Sequence, residues 1–248
     1  MRVRVFIYGL ILITTAFVAP FSFGQRGEQP IWEAVLRAHR AAWLNAPNSV
    51  RIVGVSTRAT GTQALTITAT NLEEVLVEIG TAKEVATPTR FFKDDGERSV
   101  RQNTPAGFTQ LDVTGVFLIS QLRNRQVKAT NPVSTTFGGR DAWRIHVEGN
   151  RSEMHHLRVR VNDEFDVYVD KSGFLLAIER TFYKEMPLFT SRMTLVFSDH
   201  RATSDGVILP HRIERYVKES KVETILVTSY TFDVQTTREH FEPRRPRR

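Results

Sequence analysis

The sequence predicts a mainly β protein with a few helices, built on one antiparallel sheet. Segments that alternate apolar and polar residues follow one another from residue 50 to the C-terminal region, and this period of two is typical of half-buried antiparallel strands. Turn residues such as Asp-Gly and Ser-Gly separate many of these segments at spacings that favour hairpins. Only two stretches have helical spacing, and no low-complexity linker divides the chain, so we expect a single domain.

The first 24 residues predict a secretory signal peptide. Arg2 and Arg4 precede an almost wholly apolar run at residues 5–21, and the small residues Ser22 and Gly24 flank a cleavage site. The remaining domain would span residues 25–243. An uncleaved anchor is the alternative, because the apolar run approaches the ~18–20 residues that span a bilayer. Both interpretations predict an exported chain, periplasmic or secreted, and without cysteine it has no disulfide.

Most of the excess positive charge lies at the two ends of the 248-residue chain. Of the formal net charge of +7, Arg2 and Arg4 contribute two and the C-terminal PRRPRR contributes four, which leaves about +1 for the body. A nucleic-acid-binding domain carries its basic residues on the folded body, so we expect no nucleic-acid partner. The tail at residues 244–248 is predicted to be disordered, because its prolines cannot continue a strand. A weak contact of this tail with anionic membrane stays open.

Two stretches have helical periodicity. Residues 29–45 (QPIWEAVLRAHRAAWLN) begin with a proline in the first turn and end at an Asn-containing segment before Pro47. They carry one apolar stripe, formed by Trp32, Val35, Leu36, His39 and Trp43. We predict that this helix packs on the sheet, with a mobile lid as the alternative. Residues 113–126 predict a second, short helix that interrupts the sheet.

The strand segments form a long meander. Early in the chain, QALTITAT and EEVLVEI alternate strictly, and KDDGERSV supplies an Asp-Gly hairpin turn at Asp95–Gly96. Strands resume with PVSTTF, the turn GGR and DAWRIHVEG, and a further hairpin follows in EFDVYVD, KSG and FLLAIERTFY. The segments SRMTLVFSDH, GVILPHRIERYV and KVETILVTSYTFDV complete the meander.

The polar motifs do not predict catalysis. The adjacent His155 and His156 would point to opposite faces of a strand, and His200 and His211 have no third well-spaced ligand nearby, so we expect no metal site. Ser172 lies in a Ser-Gly turn rather than in a G-x-S-x-G elbow, and no Gly-rich phosphate loop appears. We expect no cofactor and no enzymatic activity, with a hydrolase as an alternative.

The stretch FSDHRATSDGVILPHRIERYVKES contains two aspartates and two histidines that resemble an acid/base or metal cluster. An architectural interpretation accounts for the same residues. It predicts that Asp199 pairs with Arg201 at a strand end, that Asp205–Gly206 forms a turn, and that Pro210 lies at a sheet edge or bulge. We favour this interpretation.

Three segments, in this order, resemble the outer-membrane lipoprotein carrier superfamily, that is LolA-like proteins and the related sensor RseB. They are VSTTFGGRDAWRIHVEG, DVYVDKSGFLLAIER and FSDHRATSDGVILPHRIER, with His200 in place of a usual aromatic residue. Together they cover about residues 132–234. The resemblance implies a half-open β-barrel, in which helices cover the concave, apolar side of a curved antiparallel sheet. In that family the concavity receives acyl chains or another apolar ligand.

The predicted ligand-binding residues are apolar residues that share the inner face of the sheet, together with three residues of the second helix. They are Leu65, Ile67, Val75, Val77, Phe117, Leu118, Leu122, Trp143, Ile145, Leu176, Ile178, Met193, Leu195, Phe197 and Leu226. A filled core and an open cavity are both compatible with this pattern. Alternation determines the face on which a residue lies and not the space beside it.

The function expected from these observations is an exported, monomeric, non-enzymatic protein that binds or carries a hydrophobic ligand. Lipid or lipoprotein acyl chains are the expected ligands, as the resemblance implies. The alternative is an envelope sensor or scaffold that binds a protein partner, as the RseB-like members of the superfamily imply.

Overall fold

The computed structural model describes residues 29–40, 47–70, 74–87, 90–94, 99–101, 128–130, 132–148, 164–183 and 190–242. The predicted signal peptide, the second predicted helix and the basic tail lie outside the described residues. The domain limits given above therefore remain predictions.

The described chain is mainly β, as predicted. It contains the helix α1 (Gln29–Ala38) and a C-terminal 3-10 helix (Arg238–Phe241). The strands are β1 (Ser49–Arg58), β2 (Gly61–Thr70), β3 (Val75–Ile79), β4 (Ala82–Thr87), β5 (Arg90–Asp94), β6 (Ser99–Arg101), β7 (Lys128–Ala129), β8 (Val133–Phe137), β9 (Arg140–Glu148), β10 (Glu164–Asp170), β11 (Leu175–Tyr183), β12 (Thr190–Ala202), β13 (Ile208–Val217) and β14 (Ser220–Phe232).

All of these strands belong to one antiparallel sheet. Its order is β6-β5-β4-β3-β2-β1-β14-β13-β12-β11-β10-β9-β7, and β8 also pairs with β9. The first and last strands pair with each other in the middle of the sheet, and the chain meanders outward from this pair on both sides. Among the described residues the two ends, β6 and β7, do not pair, so the sheet stays open. The fold is therefore the half-open β-barrel that the sequence resemblance implies.

The local signals in the sequence correspond closely to the observed hairpins. β10 coincides with the segment EFDVYVD, and the turn that follows it ends at Gly173, which adopts a left-handed φ of 95°. β5 pairs with β6 through Phe92↔Arg101 and Asp94↔Ser99, so a hairpin forms at the predicted place, while its predicted turn at Asp95–Gly96 lies outside the described residues. Period-two alternation and turn chemistry were sufficient to locate these elements.

Helix α1 is shorter than its sequence pattern predicts. The pattern extends to residue 45, but the helix ends at Ala38 and is followed by a turn in which Arg40 has a left-handed φ of 51°. The backbone N–H of His39 still donates to Val35 O at 3.0 Å. The remaining predicted stripe residue, Trp43, lies outside the described residues.

Apolar clusters lie on both faces of the sheet. The largest covers the inner face and includes Val35 of α1. A second one, on the outer face of β3–β5, is closed by Phe241 of the 3-10 helix, and Lys83 Nζ donates to His240 O at 2.8 Å beside it. The C-terminal segment up to Glu242 therefore packs as part of the folded domain.

In the part of the chain that the structure describes, no helix combines the length and the hydropathy needed to cross a bilayer.

Candidate functional site

The inner face of the sheet is apolar across nine neighbouring strands, from β3 through β1 and β14 to β9. Cross-strand pairing arranges its residues in rows. One row is Val77, Ile67, Ile52 and Tyr230, and another is Leu195, Ile178, Val167 and Ile145. Each fully buried aliphatic side chain of this kind contributes about 1.5–3 kcal/mol relative to an exposed one. The inner face is therefore the main apolar core of the part of the protein that the structure describes.

Most of the predicted inner-face residues lie where the sequence placed them. Eight of them are at most 2% exposed within the inner-face cluster, namely Leu65, Ile67, Val75, Val77, Ile145, Ile178, Leu195 and Phe197. Met193 is buried as well, and Trp143 is half-buried with Lys171 Nζ 3.4 Å from its ring centroid. Phe117, Leu118 and Leu122 lie outside the described residues.

The predicted inner-face position of Leu176 is wrong, because a β-bulge changes the alternation of β11. Tyr168 pairs with Ala177, but the next residue of β10, Val169, pairs with Leu175, so Leu176 has no register partner on β10. Leu176 packs instead with Tyr168 and Ala177 in a separate cluster, and Leu175 takes the inner-face position. Simple alternation cannot anticipate the extra residue of a bulge.

The predicted inner-face position of Leu226 is also wrong. Leu226 is 43% exposed on the outer face, where it pairs with Val55. Its neighbours Ile225 and Val227 are both apolar, so the sequence pattern around it fits either face. The register resolves the ambiguity, since Ile225 pairs with Ile213 and joins the inner-face cluster.

Helix α1 lies over one end of the inner face. Ile31, Trp32 and Leu36 pack against the cluster that contains Val35. The turn between β10 and β11 approaches the helix so closely that a Cβ on Gly173 would lie 2.5 Å from Ala34 O. Only glycine fits at this contact, both because of the clash and because of its left-handed φ.

His39 links the end of α1 to strands β11 and β13 through two hydrogen bonds. Its ring Nδ1 lies 2.7 Å from Ile208 O, and the backbone N–H of Leu175 donates to Nε2 at 3.1 Å. Both bonds are satisfied by a neutral ring with its proton on Nδ1. The rings of Phe174 and His200 pack against His39, with centroids 5.3 and 5.5 Å away. Burial disfavours the charged form and lowers the pKa of His39 to about 4.

Acidification should loosen this attachment. The unfolded chain binds a proton at His39 near pH 6.5, whereas the folded chain does so only near pH 4. The contribution of neutral His39 to stability is therefore complete above about pH 6.5 and is lost as the pH falls toward 4. We expect the free energy of unfolding to decrease by on the order of 3 kcal/mol over this range, measured by urea denaturation at several pH values.

His39→Gln is the control for this prediction. The variant should be less stable at pH 7 but should show a smaller decrease between pH 7 and pH 4.5. The remaining decrease would include the contribution of His200, whose pKa is also lowered by burial. Identical slopes for the parent and the variant would contradict a buried neutral His39.

A polar cluster lies on the inner face at the end remote from α1. Glu223 is fully buried, and its Oε1 accepts hydrogen bonds from Ser56 Oγ at 2.5 Å and Arg58 Nε at 2.7 Å. Arg215 Nε lies 3.1 Å from the other carboxylate oxygen. We call these four residues the Glu223 cluster. Arg215 stands seven residues along β13 from Ile208, the strand residue that contacts His39, which corresponds to about 23 Å.

Sequence reasoning missed this cluster, although a signal was present. Glu223 alternates in phase with Ile225 and Val227, and Arg215 alternates in phase with Ile213. Charged residues that share the parity of buried apolar residues should point inward.

The stretch at residues 197–220 is architectural, as predicted. Arg201 donates from Nε and Nη2 to the two oxygens of Asp199, at 2.7 and 2.6 Å. Gly206 has a left-handed φ of 79° in the turn. Pro210 pairs with His200 of β12, but the β13–β14 register begins only at Arg212, so Pro210 has no register partner on the β14 side of its strand. Within the described ranges, no three His, Asp or Glu side chains are grouped to hold a metal ion.

Comparisons with known proteins support the fold. No protein-family model matches the chain, and no curated protein is significantly similar to it. Among solved structures, a putative outer membrane lipoprotein-sorting protein domain from Vibrio parahaemolyticus aligns with a TM-score of 0.52 and 13% identity over 85% of this chain and 95% of that one. A LolA superfamily protein from Nitrosomonas europaea aligns with a TM-score of 0.53 and 11% identity, over 88% and 98% of the two chains.

A DUF1329 family protein from Desulfovibrio piger is similar to the same degree, with a TM-score of 0.53 and 11% identity over 87% of this chain and 97% of that one. The protein thus has the half-open β-barrel fold of LolA-like proteins, and the resemblance found in its sequence is confirmed at the level of the fold.

Proposed function

We propose that this chain is an exported, non-enzymatic protein that binds or carries a hydrophobic ligand against the inner face of its half-open barrel. Lipid or lipoprotein acyl chains are the proposed ligands. The shared fold with a lipoprotein-sorting domain and a LolA superfamily protein supports this class of ligand. The apolar composition of the inner face supports it independently.

The observation that carries the proposal is the width of the apolar face relative to the helix over it. Nine strands spaced about 4.8 Å apart span about 40 Å, whereas the ten-residue α1 is only about 15 Å long. The helix by itself is therefore too short to cover the whole face, and the proposed ligand would pack along the part of the face beyond it. Such a face is the kind of surface that lines apolar ligand sites in curved sheets.

Delipidated protein should be stabilised by a long-chain lipid. At an oleate concentration of about 100 times Kd, binding adds about 2.7 kcal/mol and should raise Tm by about 5–10 °C. Differential scanning fluorimetry measures this shift, and native mass spectrometry of protein purified without detergent should show a bound lipid.

Met193→Gln tests whether the ligand lies on the inner face, with Leu226→Gln as the matched outer-face control. Gln resembles Met in shape, so we expect only a small decrease in Tm. Binding of a fluorescent fatty acid should be roughly tenfold weaker, because the Gln amide would be buried against the acyl chain of the ligand without a hydrogen-bond partner. Leu226→Gln should leave binding unchanged. A Met193→Gln protein that barely folds yet binds normally would instead indicate a filled core.

A specific observation favours the sensor or scaffold alternative. Val53, Val55 and Leu226 are 38%, 36% and 43% exposed and lie together on the outer face of the β1–β14 pair. Contiguous exposed apolar patches are often sites of protein contact, and these three residues would form the centre of such a patch. Protein that purifies without lipid, gains no stability from oleate and loses a bound partner on Leu226→Gln would favour this alternative.

A further inference from the structure

We propose that the Glu223 cluster binds the anionic headgroup of the ligand, so that the preferred ligand is an amphiphile with a carboxylate or phosphate group. This inference rests on the proposed function, because it requires the apolar chain of the same ligand to lie on the inner face.

The cluster stands at the boundary between solvent and the apolar inner face. The side chains of Arg58 and Arg215 are 31% and 17% exposed. Two residues further along strands β13 and β14, in the adjacent row of the inner face, Ile213 and Ile225 are buried. An amphiphile placed along the face would therefore pass from apolar contacts to guanidinium groups over a distance of two residues along each strand.

The charges of the cluster favour an anion. Among the four residues of the cluster, two guanidinium groups contact one carboxylate, Glu223, which gives these residues a formal charge of +1. Cations on an otherwise apolar face attract an anionic group more strongly than they would in water.

Arg58 has the geometry to receive that group. It contacts Glu223 only through Nε, and among the described residues its two terminal amino groups have no hydrogen-bond partner. The planar fork of arginine matches two oxygens of a carboxylate or phosphate. A purely structural role for the cluster requires only that the negative charge of the buried Glu223 be compensated. Arg215 and Ser56 already contribute to this compensation. Such a role does not require the terminal amino groups of Arg58, so they are available to a ligand.

The test compares a charged and an uncharged probe with the same chain on the delipidated full-length protein. Titration with cis-parinaric acid and with its methyl ester, followed by fluorescence, should show the acid bound at least about tenfold more tightly. Arg58→Met should remove about this tenfold preference and leave the affinity for the ester unchanged.

Arg212→Met is the matched control. Arg212 lies on the same strand as Arg215 but on the outer face, where its Nη2 donates to Glu214 at 2.7 Å. It should leave both affinities unchanged. Arg58→Lys, which keeps the positive charge beside Glu223, should lose part of the acid affinity and none of the ester affinity, and it provides a second variant if Arg58→Met does not fold.

Displacement distinguishes the two headgroup chemistries. Oleate and lysophosphatidate present a carboxylate and a phosphate, and displacement of the probe by either one, but not by oleyl alcohol at the same concentration, supports the inference. Equal affinity for acid and ester, or unchanged acid affinity in both Arg58 variants, overturns the headgroup site while the proposed function stands. If neither probe binds, the proposed function itself is contradicted.

Discussion

Gly54→Val should cause one of the largest losses of stability available from a single substitution in this protein. A Cβ at residue 54 would lie 2.2 Å from Leu226 O and 3.0 Å from Val227 Cα, so β1 and β14 would have to separate. This strand pair joins the two halves of the sheet. We expect the free energy of unfolding to fall by about 3 kcal/mol or more and Tm to fall by about 10 °C, measured by thermal denaturation.

Val53→Ala is the appropriate control, because residue 53 precedes Gly54 on the same strand but is exposed on the outer face. Exposed substitutions away from special contacts change stability by about 0.5 kcal/mol or little more. A Gly54→Val protein that melts within a degree or two of the parent would show that the two strands are not in such close contact.

Glu223→Ala should be destabilising through a different mechanism. It removes the hydrogen-bond acceptor of Ser56 and Arg58 and the ion-pair partner of Arg215, and it leaves two guanidinium groups close together without this carboxylate. Breaking a buried ion pair from one side costs about 3–5 kcal/mol. Because solvent reaches Arg58 and Arg215, we expect a loss near the lower end, about 3 kcal/mol, measured by urea denaturation.

Glu214→Ala is the matched substitution on the outer face. Glu214 also contacts two cations, Arg212 and Lys221, but both of these are well exposed. Its loss should cost about 1 kcal/mol or less, and added salt should reduce the cost further. Equal costs for the two glutamates would contradict the description of Glu223 as a buried inner-face charge.

The local part of the fold could be predicted from the sequence with good accuracy. Alternation and turn residues located the hairpins around Gly173 and Gly206, and they assigned residues such as Ile67, Ile145 and Leu195 to the inner face. These signals are readable because the period of a strand and the left-handed conformation of a turn depend on neighbours in the sequence. The resemblance to LolA-like proteins supplied the half-open barrel, which alternation alone does not specify.

The candidate site depended more heavily on long-range pairing. The β-bulge at Leu176 and the register of Ile225 with Ile213 reversed two predicted faces, and neither leaves a distinct pattern in the sequence. The contact between Ser56 and Glu223 joins residues 167 positions apart.

Local patterns in the amino-acid sequence are sufficient to specify which segments are strands and, at most positions, which side chains alternate inward. Three further features depend on long-range contacts: the first and last strands pair, this pairing brings Arg58 to Glu223, and α1 is held at the opposite end through His39. The physical reason is that alternation acts over two residues, whereas cross-strand register depends on the summed burial and hydrogen bonding of segments far apart in the chain.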